Sequence, residues 1–293
     1  MTETGGWIHN PEAIDEVMSE MSQPYFFQAA DVLKASGKGK EAYLYKNFKK
    51  LGIHFPAPIQ SSVGDCVSHA TSLAGDALAV TEIANGEREG WVSRSANEYF
   101  YHVSRVIIGK NRINGDGSIN AWAAKGFQEY GSLRRIKYNS TDLTEYSAKK
   151  SRTWGMSQIP KDLYEIAKQN SITSFAAIKN FSEACDSLYN GYPIIVASNQ
   201  GFSSKRDKDG FCAPSGTWGH SMAVLGYKDD ERPGVVICNS WPSFLPGENN
   251  EWELPPSSFF CDANVFDRMC RFNDTFSFSG FNGFKLRANA RII

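Results

Sequence analysis

The sequence predicts an α+β chain of two lobes, a helical lobe followed by a β-rich lobe, behind an N-terminal helical extension. Three observations predict this. Apolar residues recur at helix spacing as far as about residue 135, and short β-branched and aromatic runs replace them from about residue 171. The length, 293 residues at 41% hydrophobic and 13% aromatic content, suffices for a substantial core and for about two domains, or one domain of two lobes. No internal repeat is present.

The elements follow in order. Residues 1–59 form the extension, in which PEAIDEVMSEM, FFQAADVLKA and KEAYLYKNFKKL each carry apolar residues at helical spacing, separated by SGKGK and closed by Pro56-Ala57-Pro58. Their apolar faces (Ile14, Val17, Met18; Phe26, Phe27, Val32, Leu33; Tyr43, Leu44, Phe48, Leu51) need burial. The extension is therefore expected to pack permanently on the body or on a partner rather than to serve as a cleavable inhibitory leader. Residues 60–140 form the helical lobe. Its first helix starts at Asp65 or Cys66 and runs to about Ala84, stopped by Asn85-Gly86. A second follows the capping-box pattern Ser95-x-x-Glu98. A third follows Gly115-Asp116-Gly117-Ser118 and ends at Gly131. Residues 141–293 hold a connecting region, with one helix starting near Pro160, and the β-rich lobe. Its strands fall at Ile172–Ile178, Pro193–Ala197, Ser221–Tyr227 and Val235–Cys238, with a helix near Ser182–Tyr189. After residue 240 the Pro-, Phe- and Asn-rich chain gives no clear period.

Charge and composition exclude several function classes. Lys and Arg number 31 against 32 Asp and Glu, a net charge of −1, which argues against disorder and against a strongly basic nucleic-acid binder. No hydrophobic run exceeds four residues, far short of the twenty or so a membrane span needs. The opening MTETGGWIHNPEAIDEV has no basic segment followed by an apolar one, so no secretory signal is visible. The six cysteines, Cys66, Cys185, Cys212, Cys238, Cys261 and Cys270, are too sparse for a disulfide scaffold and include no C-x-x-C pair. The expectation is free thiols in a reducing, cytoplasmic setting, with no metal and no organic cofactor.

Three positions carry chemistry. Cys66 opens an apolar-faced helix, where unpaired backbone N–H groups favour the thiolate. Asp65 beside it could cap the helix, but its charge opposes the thiolate. His220 stands at the mouth of an apolar strand after Gly219 and points to a cleft. Asn239 ends a strand and is followed by Ser240 and Trp241. Its carboxamide can accept from the far N–H of an imidazole, and an indole can shield that bond. The other histidines (His9, His54, His69, His102) read as surface or internally satisfied groups. A base at His69, one turn inside the helix, would point away from a cleft.

The order Gln60, Cys66, His220, then Asn239-Ser240-Trp241 resembles the papain-like cysteine peptidase family. Gln60 stands six residues before Cys66, the family's spacing for the glutamine that donates to the oxyanion. Gly219-His220-Ser221 through Gly226-Tyr227 resembles its histidine strand, and Gly191-Tyr192-Pro193 the approach to it. Gly115-Asp116-Gly117-Ser118 resembles its substrate-presenting glycine pair. The likeness spans about residues 60–245. Val67 stands where the family usually has an aromatic residue, Val63 replaces a disulfide cysteine, Ser118 the second glycine, and Pro242 the glycine after Asn-Ser-Trp. Gly115–Gly131, Asp142-Leu-Thr-Glu-Tyr-Ser and Arg206–Phe211 also resemble a divergent branch encoded by tailed bacteriophages and some bacteria.

The resemblance implies a papain-like two-lobed fold and a cysteine peptidase with Cys66 as nucleophile, His220 as base, Asn239 as orienting residue and Gln60 at the oxyanion. It implies substrate contacts at Gly117, Ser118 and Trp241, and a peptide or protein substrate. Through the phage branch it implies virion proteins as partners and a cytoplasmic or virion-associated location. Two other classes fit the same residues: a non-peptidase amide or ester hydrolase on this fold, and a virion-associated structural protein that retains it.

Overall fold

The computed structural model describes residues 5–29, 37–87, 93–247, 251–280 and 284. The extension contributes α1 (Pro11–Ser19), α2 (Phe26–Ala29), β1 (Glu41–Tyr43) and α3 (Lys46–Lys50). The helical lobe holds α4 (Cys66–Ala84) and α5 (Asn97–His102), which runs into a π-helical turn at Val103–Ile108. Then comes α6 (Asn120–Tyr130). A small hairpin of β2 (Lys137–Tyr138) and β3 (Thr141–Asp142) leads to α7 (Ala148–Trp154) and α8 (Asp162–Lys168). The second lobe is built from β4 (Ser174–Ala177), α9 (Phe181–Tyr189), β5 (Ile194–Arg206), β6 (Cys212–Lys228), β7 (Gly234–Cys238), β8 (Ser258–Asp262), α10 (Ala263–Cys270) and β9 (Thr275–Ser279).

One antiparallel sheet of seven strands organises that lobe, in the order β4-β9-β5-β6-β7-β8, with β1 pairing the inner end of β6. The small residues Ala70, Ala74 and Ala77 of α4 are fully or almost fully buried, and they let this helix lie close on β6. At the other end of the sheet, Phe278 of β9 meets Phe127 of α6 edge-on at 5.6 Å. The two lobes therefore share one apolar core, and the end of α4 that carries Cys66 is fixed against the middle of β6.

Several sequence expectations are corrected. The segment KEAYLYKNFKKL is not one helix. Its first residues form β1, because Glu41, Ala42 and Tyr43 find the β6 edge at Lys228, Tyr227 and Gly226. Ser95 does not cap α5. Its N–H (3.0 Å) and hydroxyl (2.8 Å) both go to the buried Asp76 carboxylate, and Ala96 takes the cap position without a side-chain bond. A helix absent from the sequence reading, α7, is capped by Ser147. His220 does not begin its strand, since β6 starts at Cys212, but it is where the unbroken buried run of β6 begins. In the extension, Ile14, Val17, Phe26, Tyr43, Leu44 and Phe48 are buried in the main core, whereas Phe27 is 53% exposed. Val32 and Leu33 lie outside the described residues. Among the described residues no helix is long and apolar enough to cross a membrane. No group of three or more His, Cys, Asp or Glu side chains there could hold a metal ion. All six cysteines are buried free thiols.

Candidate active site

Cys66 is the first residue of α4 and is fully buried. Burial pushes its thiol up to about 12, and the neighbouring Asp65 charge adds to this. The backbone N–H groups of Ser221, Gly6 and Val67 lie within reach of the sulfur and work the other way. The expected capping role of Asp65 is not realised. Its carboxylate turns into the helical lobe, where Oδ2 accepts from Ser151 Oγ (2.6 Å) and Tyr146 OH (2.9 Å) and Oδ1 faces His69 Nε2 at 3.4 Å. His69 is thereby held inside that lobe, with its Nδ1 at 3.1 Å from the Asn97 amide.

His220 and Asn239 come together. Asn239 Oδ1 lies 2.9 Å from His220 Nε2 and also accepts the Trp241 backbone N–H at 3.2 Å. A backbone N–H can only donate, so this second bond fixes the carboxamide oxygen toward the imidazole. The ring proton is then on Nε2, and the Nδ1 lone pair is left as the basic site. That Nδ1 is buried and makes no hydrogen bond among the described residues. The Trp241 indole stacks on the ring at 4.1 Å and 28° and covers the Asn–His bond. Burial depresses the imidazole to about 4, against the hydrogen bond to Asn239, which raises it. The register of the β5–β6 hairpin explains the placement of His220: Ser198↔His220 is the last regular pair before the first irregularity.

Gln60 is buried, and its orientation is fixed. Ser240 Oγ donates to its Oε1 (2.6 Å), its Nε2 donates to the Val63 carbonyl (3.0 Å), and its backbone N–H reaches Ser240 O (3.1 Å). Its donor edge thus lies on the side of the loop leading into Cys66. Gly117 and Ser118 end a loop organised by a residue the sequence reading missed. The Arg105 guanidinium, from the π-helical turn, donates to the carbonyls of Ile113 (3.3 Å), Gly115 (2.6 Å) and Gly117. A π turn is a frequent mark of a functional region, but nothing in the sequence announces it.

The largest difference from the sequence expectation is what fills the cleft. Residues Gly5–Ile8 cross it as a strap. Gly6 and Trp7 donate their N–H groups to the Gly219 carbonyl (2.9 and 3.1 Å), Ser118 N–H donates to Gly6 O (2.8 Å), and Ile8 N–H donates to Ser118 O (3.0 Å). Trp7 and Ser118 form a parallel β-bridge. Any side chain at Gly6 would collide with the Gly64 carbonyl, so glycine is required for this close passage. Trp7 clusters with Cys66, Val67, Ala123 and Ala197. The extension is therefore both packed on the body, as expected, and laid across Cys66, which was not expected.

The architecture is that of papain-like cysteine proteases. The chain is similar in structure to xylellain, a cysteine protease from Xylella fastidiosa, with a TM-score of 0.56 and 15% identity over 96% of this chain and 94% of that one. It is similar to procathepsin B S9 from Trypanosoma congolense (TM-score 0.52, 11% identity, 94% and 85% covered). The proform of the ragweed pollen cysteine protease Amb a 11 gives a TM-score of 0.51 at 14% identity, with 94% and 76% covered. At such identities the likeness establishes the fold. No protein-family profile matches the chain, and no curated protein matches it in sequence.

Proposed function

We propose that this chain is a papain-like thiol hydrolase, a cysteine peptidase held in a latent state by its own strap. The supporting observation is an imidazole whose Nε2 is fixed by Asn239 under Trp241 and whose Nδ1 makes no hydrogen bond among the described residues, Cys66 included, in the strand whose next N–H reaches the Cys66 sulfur. In the reaction, His220 Nδ1 takes the thiol proton and the sulfur attacks the peptide carbonyl carbon. The resulting oxyanion is received by Gln60 Nε2–H and the Cys66 N–H. The imidazolium then protonates the leaving amine as the C–N bond breaks, leaving a thioester. Water, deprotonated by the same nitrogen, cleaves the thioester and restores the thiol. Gly117 and Ser118 offer their backbone to the substrate where they now hold the strap.

In the closed state both groups are neutral, because burial raises the thiol and lowers the imidazole. Displacing the strap rehydrates both and brings the two values together. The test uses the full chain carrying Gly6→Leu, with a mixture of unstructured peptides as substrate. Cleavage is expected, and it should fall by about 10³-fold or more when Cys66→Ala or His220→Ala is added. Gln60→Ala should cost about 10²-fold. Ready alkylation of Cys66 without any peptide cleavage would remove the peptidase reading and leave the amide or ester hydrolase in its place.

A further inference from the structure

Trp7 sits in a pocket with an unusual floor. Its indole packs among Cys66, Val67, Ala123 and Ala197, and meets the Phe272 ring edge-on at 5.3 Å. At the bottom, its Nε1–H donates to Asp274 Oδ2 at 2.7 Å. Asp274 is fully buried. Oδ2 also accepts the Asn120 N–H (2.9 Å), and Oδ1 accepts the Ala121 N–H (2.8 Å), so the carboxylate caps α6. Asn120 donates from Nδ2 to Asp274 O (2.9 Å) and accepts from Ser221 Oγ (2.7 Å), one residue from His220. The floor of the pocket is thereby tied to both lobes. No cation among the described residues lies within ion-pair distance of Asp274.

Capping α6 accounts for two of the bonds to Asp274. The third reaches out of the floor into an apolar chamber that opens beside Cys66. Without the indole, Oδ2 keeps only the Asn120 N–H, and its outward lone pair goes unpaired in an apolar chamber. A group that fills the chamber and brings one N–H is therefore favoured over a group of equal size that brings none. The walls suit a flat apolar ring. Each carboxylate oxygen already holds one backbone N–H, and only Oδ2 takes a donor from the chamber, so a guanidinium would bury its remaining N–H groups among apolar walls.

Resting on the peptidase reading above, we propose that the Trp7 pocket is the specificity pocket of this chain and that Asp274 is its specificity-determining residue. It selects peptides that present a tryptophan side chain, and the strap supplies that side chain in the latent state.

The experiment uses the full chain with Trp7→Ala, which vacates the pocket. Alkylation of Cys66 by iodoacetamide is followed by peptide mapping, in the presence of N-acetyl-tryptophanamide, N-acetyl-phenylalaninamide or N-acetyl-argininamide. The tryptophan amide is expected to protect Cys66 at a concentration about tenfold lower than the phenylalanine amide. That ratio should collapse toward one when Asp274→Leu is added. Equal protection by the two aromatic amides, strongest protection by the arginine amide, or a ratio unchanged by Asp274→Leu would each overturn the proposal. Should Trp7→Ala fail to fold, Trp7→Phe keeps the ring and loses the N–H. It should raise Cys66 labelling about tenfold over the unsubstituted chain, and an unchanged rate would overturn the proposal. Protection requires no turnover, so a failed hydrolysis assay removes the peptidase reading and leaves this ratio to be judged separately.

Discussion

The two parts of the N-terminal extension are attached by different physics. From α1 to α3 the attachment is largely apolar, beside the β1–β6 pairing: Ile14, Val17, Tyr43, Leu44 and Phe48 lie in the same core as α4 and the sheet. From Gly5 to Ile8 it is four backbone hydrogen bonds to Gly219 and Ser118, one indole–carboxylate bond and a single buried ring, Trp7. Backbone bonds of this kind can be exchanged for bonds to any peptide or to water at a small net cost of about 1 kcal/mol each. Buried aromatic and aliphatic groups have no such substitute, and the segment from α1 to α3 holds many of them where the strap holds only Trp7. The comparison sets the broadly packed part of the extension, α1 to α3, against a strap held by few groups.

Substitutions in the two parts should therefore behave oppositely. Phe48→Ala, in the fully buried core under α3, should lower stability by about 3–5 kcal/mol, measured by denaturant unfolding, while Cys66 labelling of the folded fraction stays at its low rate. Gly6→Leu should do the reverse. The leucine cannot pass the Gly64 carbonyl, so the strap leaves, and Cys66 alkylation at neutral pH should rise by about 10²-fold while the melting temperature falls less than in Phe48→Ala. The sign follows from burial. The closed thiol is pushed up to about 12, alkylation needs the thiolate, and exposure brings the thiol back toward its ordinary value. A rise in labelling that comes with global unfolding would erase the distinction between the two parts.

The smallest effect belongs to the strap's anchor. Burial raises Asp274 from 3.8 to about 6, so the folded chain holds this proton more tightly than the unfolded one. The cost of burying the carboxylate is felt in full above about pH 6 and is relieved as pH falls toward 4. Relative to Asp274→Asn, the unsubstituted chain should gain at most about 2 kcal/mol between pH 7 and pH 4.5, read from paired unfolding curves. A difference that does not change with pH would mean that Asp274 is not the ionised floor of the pocket.

Legibility in the sequence followed the range of the forces involved. The helix from Cys66 to Ala84 was readable to within about a residue at its start, because small apolar residues on one face and Asn85-Gly86 at the end are local signals. The strands around Ile194, Ser221 and Val235 were readable because a buried sheet concentrates β-branched residues. The order of Gln60, Cys66, His220 and Asn239 was readable through its resemblance to a known family. The likeness to phage-encoded members rests on three sequence stretches alone.

Other features were decided by partners far along the chain. β1 looks helical until the edge of β6 is there to pair with it. Ser95 looks like a cap until Asp76 claims it. The strap was the least legible feature, because backbone bonds leave no side-chain pattern. Its only sequence marks are Gly5-Gly6 followed by Trp7, and their meaning depends on Gly64, Gly219 and Asp274.

The bond between Trp7 and Asp274 joins positions 267 residues apart. At a synthesis rate of about 5–20 residues per second, the indole waits on the order of 10–50 s for its carboxylate. Asp274 directly precedes β9, and β9 lies between β4 and β5 in the finished sheet. The strand that completes the lobe carrying His220 and the residue that anchors the strap thus leave the ribosome together. A growing chain cannot set its thiol and imidazole in a finished cleft before the means of covering that cleft has been made.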